Sequence, residues 1–383
     1  MLKTGDKPAW QLESLDKPIV TATYFGFTPI VAPKITEKDL ELISHCKEHA
    51  QYDAAEKAAF IRTYFEDGLT SLPHPLSVIY RKPAWKKKPA GYHLHFVGSS
   101  SGIAEASLIR AALSMLSELG HKNLQVSLNC IGDRESLNTY ERELINFIKK
   151  FGGNLSEEIR ATLKEDIFNL FQMEQEEIVQ LRASAPSSIS FLTSQSRQHF
   201  KEVLEFVEAL NVEFSLTPEL VGEKNHSSHT VFSIKNLNAD GLASSPLATG
   251  YRYSRLVRRF GVKKEIPMAG VTIFLDSNPV ETRVYKKPNP KFYLVQLGRD
   301  AKIRTLGLIE NLRREKIPVH HFLGKDKLTA QLSTAESLRV AYLIIIGQKE
   351  ALDGTATVRN ILTRAQDTIV LSQLPAYLKS IKL

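Results

Sequence analysis

An α+β body followed by a small α/β domain is the fold class that the sequence predicts, and three observations predict it. Before residue 284, helical patterns cluster between strands whose apolar residues alternate as in an antiparallel sheet. Beyond residue 290, strand and helix patterns alternate, which implies a parallel core. Within that second part "VAYLIIIG" is apolar throughout, as a strand covered on both faces must be. A chain of 383 residues, 43% hydrophobic, has material for two or three cores and is not expected to be disordered.

Taken in order, "ASLIRAALSMLSELG" reads as a helix stopped at Gly120, and "LQVSLNCIG" as the strand after it. Helical patterns fill 136–212, including "YERELINFIKKFG" and "SRQHFKEVLEFVEALN"; strands return at "HTVFSIKN" and "MAGVTIFLD". The two prolines of "KPNPKFYLVQLG" place a linker at about 284–290 and divide the chain into 1–283 and 284–383. In the second unit "KFYLVQLG", "IPVHHFLG" and "VAYLIIIG" read as strands, and "DAKIRTLGLIENLRREK" and "KLTAQLSTAESLR" as the helices between them. "GTATVRNI" and "DTIVLS" form a hairpin, and "LPAYLKSIK" a closing helix.

Composition removes several classes of function. The two cysteines, Cys46 and Cys130, lack metal-type spacing, so neither a disulfide framework nor a cysteine zinc site is expected. No window approaches the roughly 20 apolar residues of a membrane span, and "MLKTGDKPAWQLESLDKP" has no apolar signal core, so a soluble cytoplasmic protein is expected. The N-x-S triplets at Asn154 and Asn225 then carry no meaning as glycosylation sites. The charge is +8 in total, but residues 283–383 hold 18 Lys and Arg against 8 Asp and Glu, and the rest of the chain 32 against 34. A basic terminal unit on a near-neutral body suits a polyanion, with nucleic acid as the first candidate and a merely solubilising surface as the alternative.

Four polar stretches are candidates for chemistry. In "LVGEKNHSSHTVF", His226 and His229 lie three residues apart at the entry to a strand, which sends them to opposite faces, so a polar loop is expected rather than a metal site. "SSSG" at 99–102 precedes a helix and suits a cap or a shortened hairpin better than an anion site. "RKPAWKKKP" at 81–89 offers cations with one tryptophan, as RNA contact or as a solvated loop. "RYSRLVRRFGVKK" offers Arg252, Arg255, Arg258 and Arg259 near helical spacing, as a basic face or an ordinary surface helix. Of the pair His320–His321 in a strand, at least one is expected in the core.

The order of longer segments is informative. "YFGFTPIVAPKITEKDL" carries Gly26, Phe27 and Pro33; "FIRTYFEDGLTSLPHPLSVIYRKPAW", the helical stretch and "ATGYRYSRLVRRFG" follow, and the strand–helix unit closes the chain. Together they resemble the histidyl-tRNA synthetases of class II over about residues 17–381. The resemblance implies a class II antiparallel sheet core with helices and a C-terminal α/β domain of the anticodon-binding type. It also implies a homodimer formed through the first motif, and tRNA as partner. The motif positions Pro33, Gly91, Phe96, Gly250, Arg252 and Tyr253 match the family.

The family's chemical residues do not carry over. Amino-acid activation sets a carboxylate against the α-phosphate of ATP and needs fixed cations and acceptors around both. In the second motif the Arg-x-Glu positions read Trp85 and Lys87, and "GYHLHF" places Tyr92, Leu94 and His95 where two arginines and a glutamate are expected. The family's Pro-Glu-x-Thr aligns with "AAEK", giving Ala55 and Lys57, and "FVGSSSGIAEAS" is too short for its following Gln and Glu. Gly222 stands at the signature arginine, "EKNHSS" with His226 and Ser227 replaces the histidine-binding tyrosines, and Ser277 takes the third-motif arginine. A hydroxyl in place of a guanidinium loses charge and bidentate geometry.

The resemblance therefore implies a synthetase-like protein with no catalytic residues and no cofactor or metal, acting as a tRNA-binding or regulatory pseudoenzyme. Two alternatives remain. One is an active histidine–tRNA ligase, which would need ATP and Mg; the other is a regulatory subunit similar to that of short-form ATP phosphoribosyltransferase. Neither DNA nor a membrane is an expected partner. Arg304, Arg313, Arg314 and Arg359 are candidate RNA contacts within the basic unit.

Overall fold

The computed structural model describes residues 15–44, 48–83, 90–151, 153, 155–222, 226–237, 244–263, 265–275, 285 and 289–381. The body begins with α1 (Lys17–Tyr24), β1 (Thr28–Pro29), α2 (Glu37–Leu42), α3 (Glu48–Glu66), β2 (Leu76–Lys82) and β3 (Gly91–Val97). It continues through α4 (Ile103–Glu118), β4 (Leu124–Gly132), α5 (Arg134–Phe151), α6 (Glu157–Glu165), α7 (Glu176–Ala183) and α8 (Ser194–Ala209). Strands β5 (Phe214–Leu216), β6 (Ser228–Asn236), β7 (Ala248–Arg252) and β8 (Met268–Phe274), with the short α9 (Ser254–Val257), complete it.

These strands form one eight-stranded sheet in the order β1-β2-β3-β8-β7-β6-β4-β5. Only the outer pairs β1–β2 and β4–β5 are parallel. Alternation along the strands gives each face its own core. Tyr92, Leu94, Phe96, Phe232 and Ile273 pack with α1, α4 and α8 on one face. Tyr80, Tyr251 and Tyr253 pack with α3 and the helical stretch on the other. Each large side chain so buried stabilises the fold by about 1.5–3 kcal/mol.

Local chemistry accounts for the ends of the elements. Asp16 caps α1, its Oδ1 accepting from the Ile19 N–H at 3.0 Å. At α4, Ser101 Oγ and the Gly102 N–H both donate to Glu202 on α8 at 2.8 Å, so "SSSG" is a cap held by a neighbouring helix. Gly120 ends that helix with φ 94, a conformation glycine adopts without strain. The expected basic helix at "RYSRLVRRFGVKK" is corrected: α9 lasts four residues and passes into a 3₁₀ turn, Arg258–Phe260. Arg252 turns inward and is 3% exposed, so no continuous basic face forms.

The second unit contains β9 (Phe292–Gln296), α10 (Arg299–Arg314), β10 (Val319–His321), α11 (Leu328–Ser337) and β11 (Tyr342–Ile346). It ends with α12 (Gln348–Asp353), β12 (Thr355–Asn360), β13 (Gln366–Val370) and α13 (Leu374–Ser380). Its sheet runs β10-β9-β11-β12-β13, parallel among the first three strands and antiparallel beyond. The sequence pattern missed α12: it has six residues and buries only Ala351, too little for a visible periodicity.

Helix α10 joins the two units. Leu306 and Ile309 enter the core around α1 and α4, and Arg313 reaches Glu118 of α4 at 3.0 Å. Glu310 meets Arg110 of α4 at 3.0 Å and its own neighbour Arg313 at 2.9 Å. Among the described residues no helix is long and apolar enough to cross a membrane.

Candidate functional site

Helix α3 lies across the second face of the sheet, and the four-residue spacing of Asp53 and Lys57 brings both side chains down onto it. Lys57 Nζ is 2.6 Å from Asp53 Oδ1, with the lysine side chain only 2% exposed. Its ammonium also lies 4.2 Å from the centroid of the Tyr251 ring. Asp53 accepts two further hydrogen bonds, from Thr272 Oγ1 of β8 at 2.9 Å and from Tyr251 OH of β7 at 2.5 Å. Tyr251 OH in turn is 3.0 Å from His226 Nε2, and Thr272 Oγ1 is 3.3 Å from His93 Nδ1. Four side chains, Thr272, Tyr251, His93 and His226, thus form one hydrogen-bonded chain around the Asp53–Lys57 pair.

His95 stands beside this chain. Its Nδ1 is 2.7 Å from Tyr253 OH, its Nε2 is 3.2 Å from Tyr80 OH, and its ring stacks on Phe60 with centroids 3.9 Å apart. Burial, then the nearby Lys57 charge, holds the His95 imidazole well below its ordinary range and lowers His93 to about 3. Both rings are therefore neutral at physiological pH. Burial pushes the Asp53 carboxyl up, but the Lys57 charge and the hydrogen bonds from Lys57, Tyr251 and Thr272 outweigh it and keep it ionised. Burial likewise lowers Lys57, with Asp53 opposing the shift. Within this network His93 Nε2 is buried without a hydrogen-bond partner, whereas Asp53 is saturated by Lys57, Tyr251 and Thr272.

The sequence-derived positions fall into distinct environments. Ala55 is buried among the residues under α3, and Lys57 and His95 belong to the network. Tyr92 and Leu94 project to the opposite face, where Tyr92 OH donates to Asp16 at 2.6 Å and Leu94 joins the α1–α4 core. Of the two histidines expected in a polar loop, His226 lies in the loop before β6, fully buried together with Ser227, whereas His229 lies within β6. At Gly222 a Cβ would lie 2.5 Å from Ser227 Oγ, so Ser227 fills the direction in which a side chain at 222 would start. Trp85, Lys87 and Ser277 lie outside the described residues, as do Asn154 and Asn225 and most of "RKPAWKKKP".

The matching positions have packing reasons. A Cβ at Gly91 would lie 2.9 Å from the Ile273 carbonyl oxygen, and one at Gly250 would lie 2.2 Å from the Phe232 ring. Phe96 and Tyr253 are core residues and Pro33 is buried after β1. Arg252 forms a bidentate pair with Glu105 of α4, Nε to Oε1 at 2.5 Å and Nη2 to Oε2 at 2.7 Å. Sequence reasoning missed Asp53, His93 and Thr272 as site residues. The i,i+4 Asp53–Lys57 pair in an alanine-rich helix was the available signal.

Among the RNA candidates, Arg313 is corrected: it is 13% exposed and engaged by Glu118 and Glu310, so its guanidinium faces the body. Arg314 is 65% exposed although it meets Glu310 at 2.9 Å. Arg304 Nε donates to the Ala351 carbonyl at 3.2 Å, and Arg359 is half-buried on β12. His321 is buried with Nε2 2.9 Å from the Tyr24 carbonyl oxygen, as expected for one of that histidine pair.

The anticodon binding domain family matches residues 291–381. The histidine–tRNA ligase of Anoxybacillus flavithermus is 26% identical over 340 residues, covering 85% of this chain and 80% of that protein. That of Geobacillus thermodenitrificans is 27% identical over 340 residues, covering 84% and 79%. In fold, the apo histidyl-tRNA synthetase of S. aureus superposes with a TM-score of 0.52 at 19% identity, covering 94% of this chain and 93% of that one. The large antiparallel sheet, the C-terminal domain and these near full-length likenesses agree, and together they support the histidyl-tRNA synthetase family of class II as the family this chain resembles.

Proposed function

We propose that the protein is a histidyl-tRNA synthetase paralogue that binds tRNA, or regulates through such binding, and does not form histidyl-adenylate. One observation carries the reading. Where the resemblance places the site for the amino group of histidine, on α3, the chain holds the Lys57–Asp53 pair, closed by Tyr251, Thr272 and the chain's own His226. An incoming ammonium would meet a buried ammonium there rather than a free carboxylate. The filled direction at Gly222 supports the same conclusion, because a guanidinium at that position would have to displace Ser227. On this reading ATP and Mg are not cofactors, and the protein works as a cytoplasmic homodimer.

The polyanion side of the proposal rests on the anticodon binding domain at 291–381 and on the excess of 18 Lys and Arg over 8 Asp and Glu in residues 283–383. Two measurements on the full chain test it. Histidine-dependent ATP–pyrophosphate exchange is expected to be absent, and clear exchange would establish the active-ligase alternative. Binding to unfractionated tRNA is expected to weaken linearly in log–log form with salt, by roughly 0.7–0.9 per phosphate contacted. No binding at low salt would remove tRNA as the partner.

A further inference from the structure

Arginines converge at one end of three neighbouring strands of the large sheet. Strand β4 stops at Gly132, β6 starts at Ser228 and β7 stops at Arg252, and their register sets these ends side by side, Gly132 opposite His229 and Ser228 opposite Arg252. The chain leaves β4 for α5 at Arg134 and leaves β7 for α9 with Arg255 in its first turn, so both arginines start from the same end of the sheet, on either side of β6. Arg258 and Arg259 follow Arg255 by three and four residues, a spacing that keeps them on its side of the turn. Although "RYSRLVRRFGVKK" forms no continuous basic helix, its shortened turn gathers three guanidinia beside Arg134.

Two of these side chains are fastened to backbone. Arg255 Nη1 donates to the Ser227 carbonyl at 3.4 Å, and Arg259 Nη1 to the Leu42 carbonyl at 3.2 Å. Bonds to carbonyls hold a guanidinium in place and do not neutralise it. Arg258 pairs with Glu265 and is still 60% exposed. Arg134 and Arg259 are exposed as well, and Arg255 is half-buried.

The carboxylates beside Arg134 do not turn the cluster acidic. Asp133 accepts from the Ser136 N–H and Oγ, each at 2.9 Å, and from Thr193 Oγ1 at 2.6 Å, while Glu135 lies exposed on the first turn of α5. Burial, then the charges of Arg134, Arg258 and Arg259, lower Arg255 from its ordinary range, and Glu265 opposes them. The four guanidinia therefore act on one another, and like charges so grouped repel until an anion lies among them.

We propose that Arg134, Arg255, Arg258 and Arg259 form a phosphate-binding surface on the body that takes the backbone of an RNA strand. The proposal rests on the tRNA reading above and adds a second site of contact, separate from the C-terminal unit. A guanidinium presents a planar fork that matches two phosphate oxygens, which an ammonium does not. Exposed arginines spread over two elements suit the successive phosphates of a strand better than one small phosphate ester. Two contact regions on one ligand also reinforce each other, since a tRNA held by the C-terminal unit meets the body at a raised effective concentration.

Binding of unfractionated tRNA to the full chain, measured over a range of salt, tests the assignment. Arg134→Gln and Arg258→Gln are each expected to lower the log–log salt slope by roughly 0.7–0.9, the loss of one phosphate contact. Arg134→Lys and Arg258→Lys keep the charge and are expected to keep the slope. Glu265→Gln removes the carboxylate from Arg258 and is expected to steepen it. Parental slopes in both glutamine variants of the arginines and in Glu265→Gln would overturn the proposal and leave the tRNA reading standing, whereas a parent that binds no tRNA at low salt would end both. Displacement of tRNA by ATP at matched ionic strength would also overturn it, by marking the cluster as a site for a small phosphate ester.

Discussion

Lys57 and Asp53 stand one helical turn apart with Nζ and Oδ1 separated by 2.6 Å, and the lysine has almost no contact with water. Removing its partner leaves a buried cation uncompensated. Asp53→Ala is therefore expected to destabilise the protein by about 3–5 kcal/mol, whereas Asp53→Ala combined with Lys57→Met recovers most of the loss. Urea denaturation of the two variants checks this; equal midpoints would mean that the pair is not coupled.

Acid should unfold the protein early. His93 is lowered from 6.5 to about 3, and His229 and His321 from 6.5 to about 4, burial being the first cause in each. Between those folded values and 6.5 the unfolded chain binds more protons than the native one, so stability is complete above 6.5 and is lost as pH falls through the window. Each such histidine costs about 2 kcal/mol between pH 6.5 and 5. Denaturation midpoints measured from pH 7.5 to 5 are expected to fall steadily, and His321→Phe to flatten the slope.

Gly250 faces the Phe232 ring at a distance that leaves no room for a methyl group. Gly250→Ala is expected to lower stability by about 1–3 kcal/mol through overpacking. Thermal melting reads the effect, and Phe232→Leu should relieve part of it.

Arg313 and Arg359 separate structure from RNA contact within the basic unit. Arg313 is held by Glu118 and Glu310. Arg313→Ala is therefore expected to increase proteolysis at the α4–α10 junction and to leave the salt slope of tRNA binding unchanged. Arg359→Ala is expected to reduce that slope by about one unit without altering the junction. The opposite pattern would reassign both residues.

The alternation of strand and helix after residue 290 and the apolar "VAYLIIIG" were enough to specify the second unit, because each element there is built from near-neighbour periodicity. The same holds for α4, β4 and α8. The six-residue α12 was invisible because it buries a single side chain. Within the candidate site, the sequence marked Lys57, His95 and Gly222 as departures from the family pattern. Alternation alone sets Tyr92 and Leu94 opposite His95, but which face carries the network depends on the helices packed against the sheet.

By itself, then, the sequence determined the order of elements and the basic character of the last hundred residues, and it carried the resemblance to the histidyl-tRNA synthetases. Tertiary structure alone decided which side chains meet. Asp53 lies 219 residues from Thr272, and Glu105 lies 147 from Arg252. Contacts across such distances arise only when the sheet brings separate strands side by side, and they leave no periodic signal in the chain. The network on one face of the sheet and the Arg252–Glu105 pair on the other are consequences of that pairing.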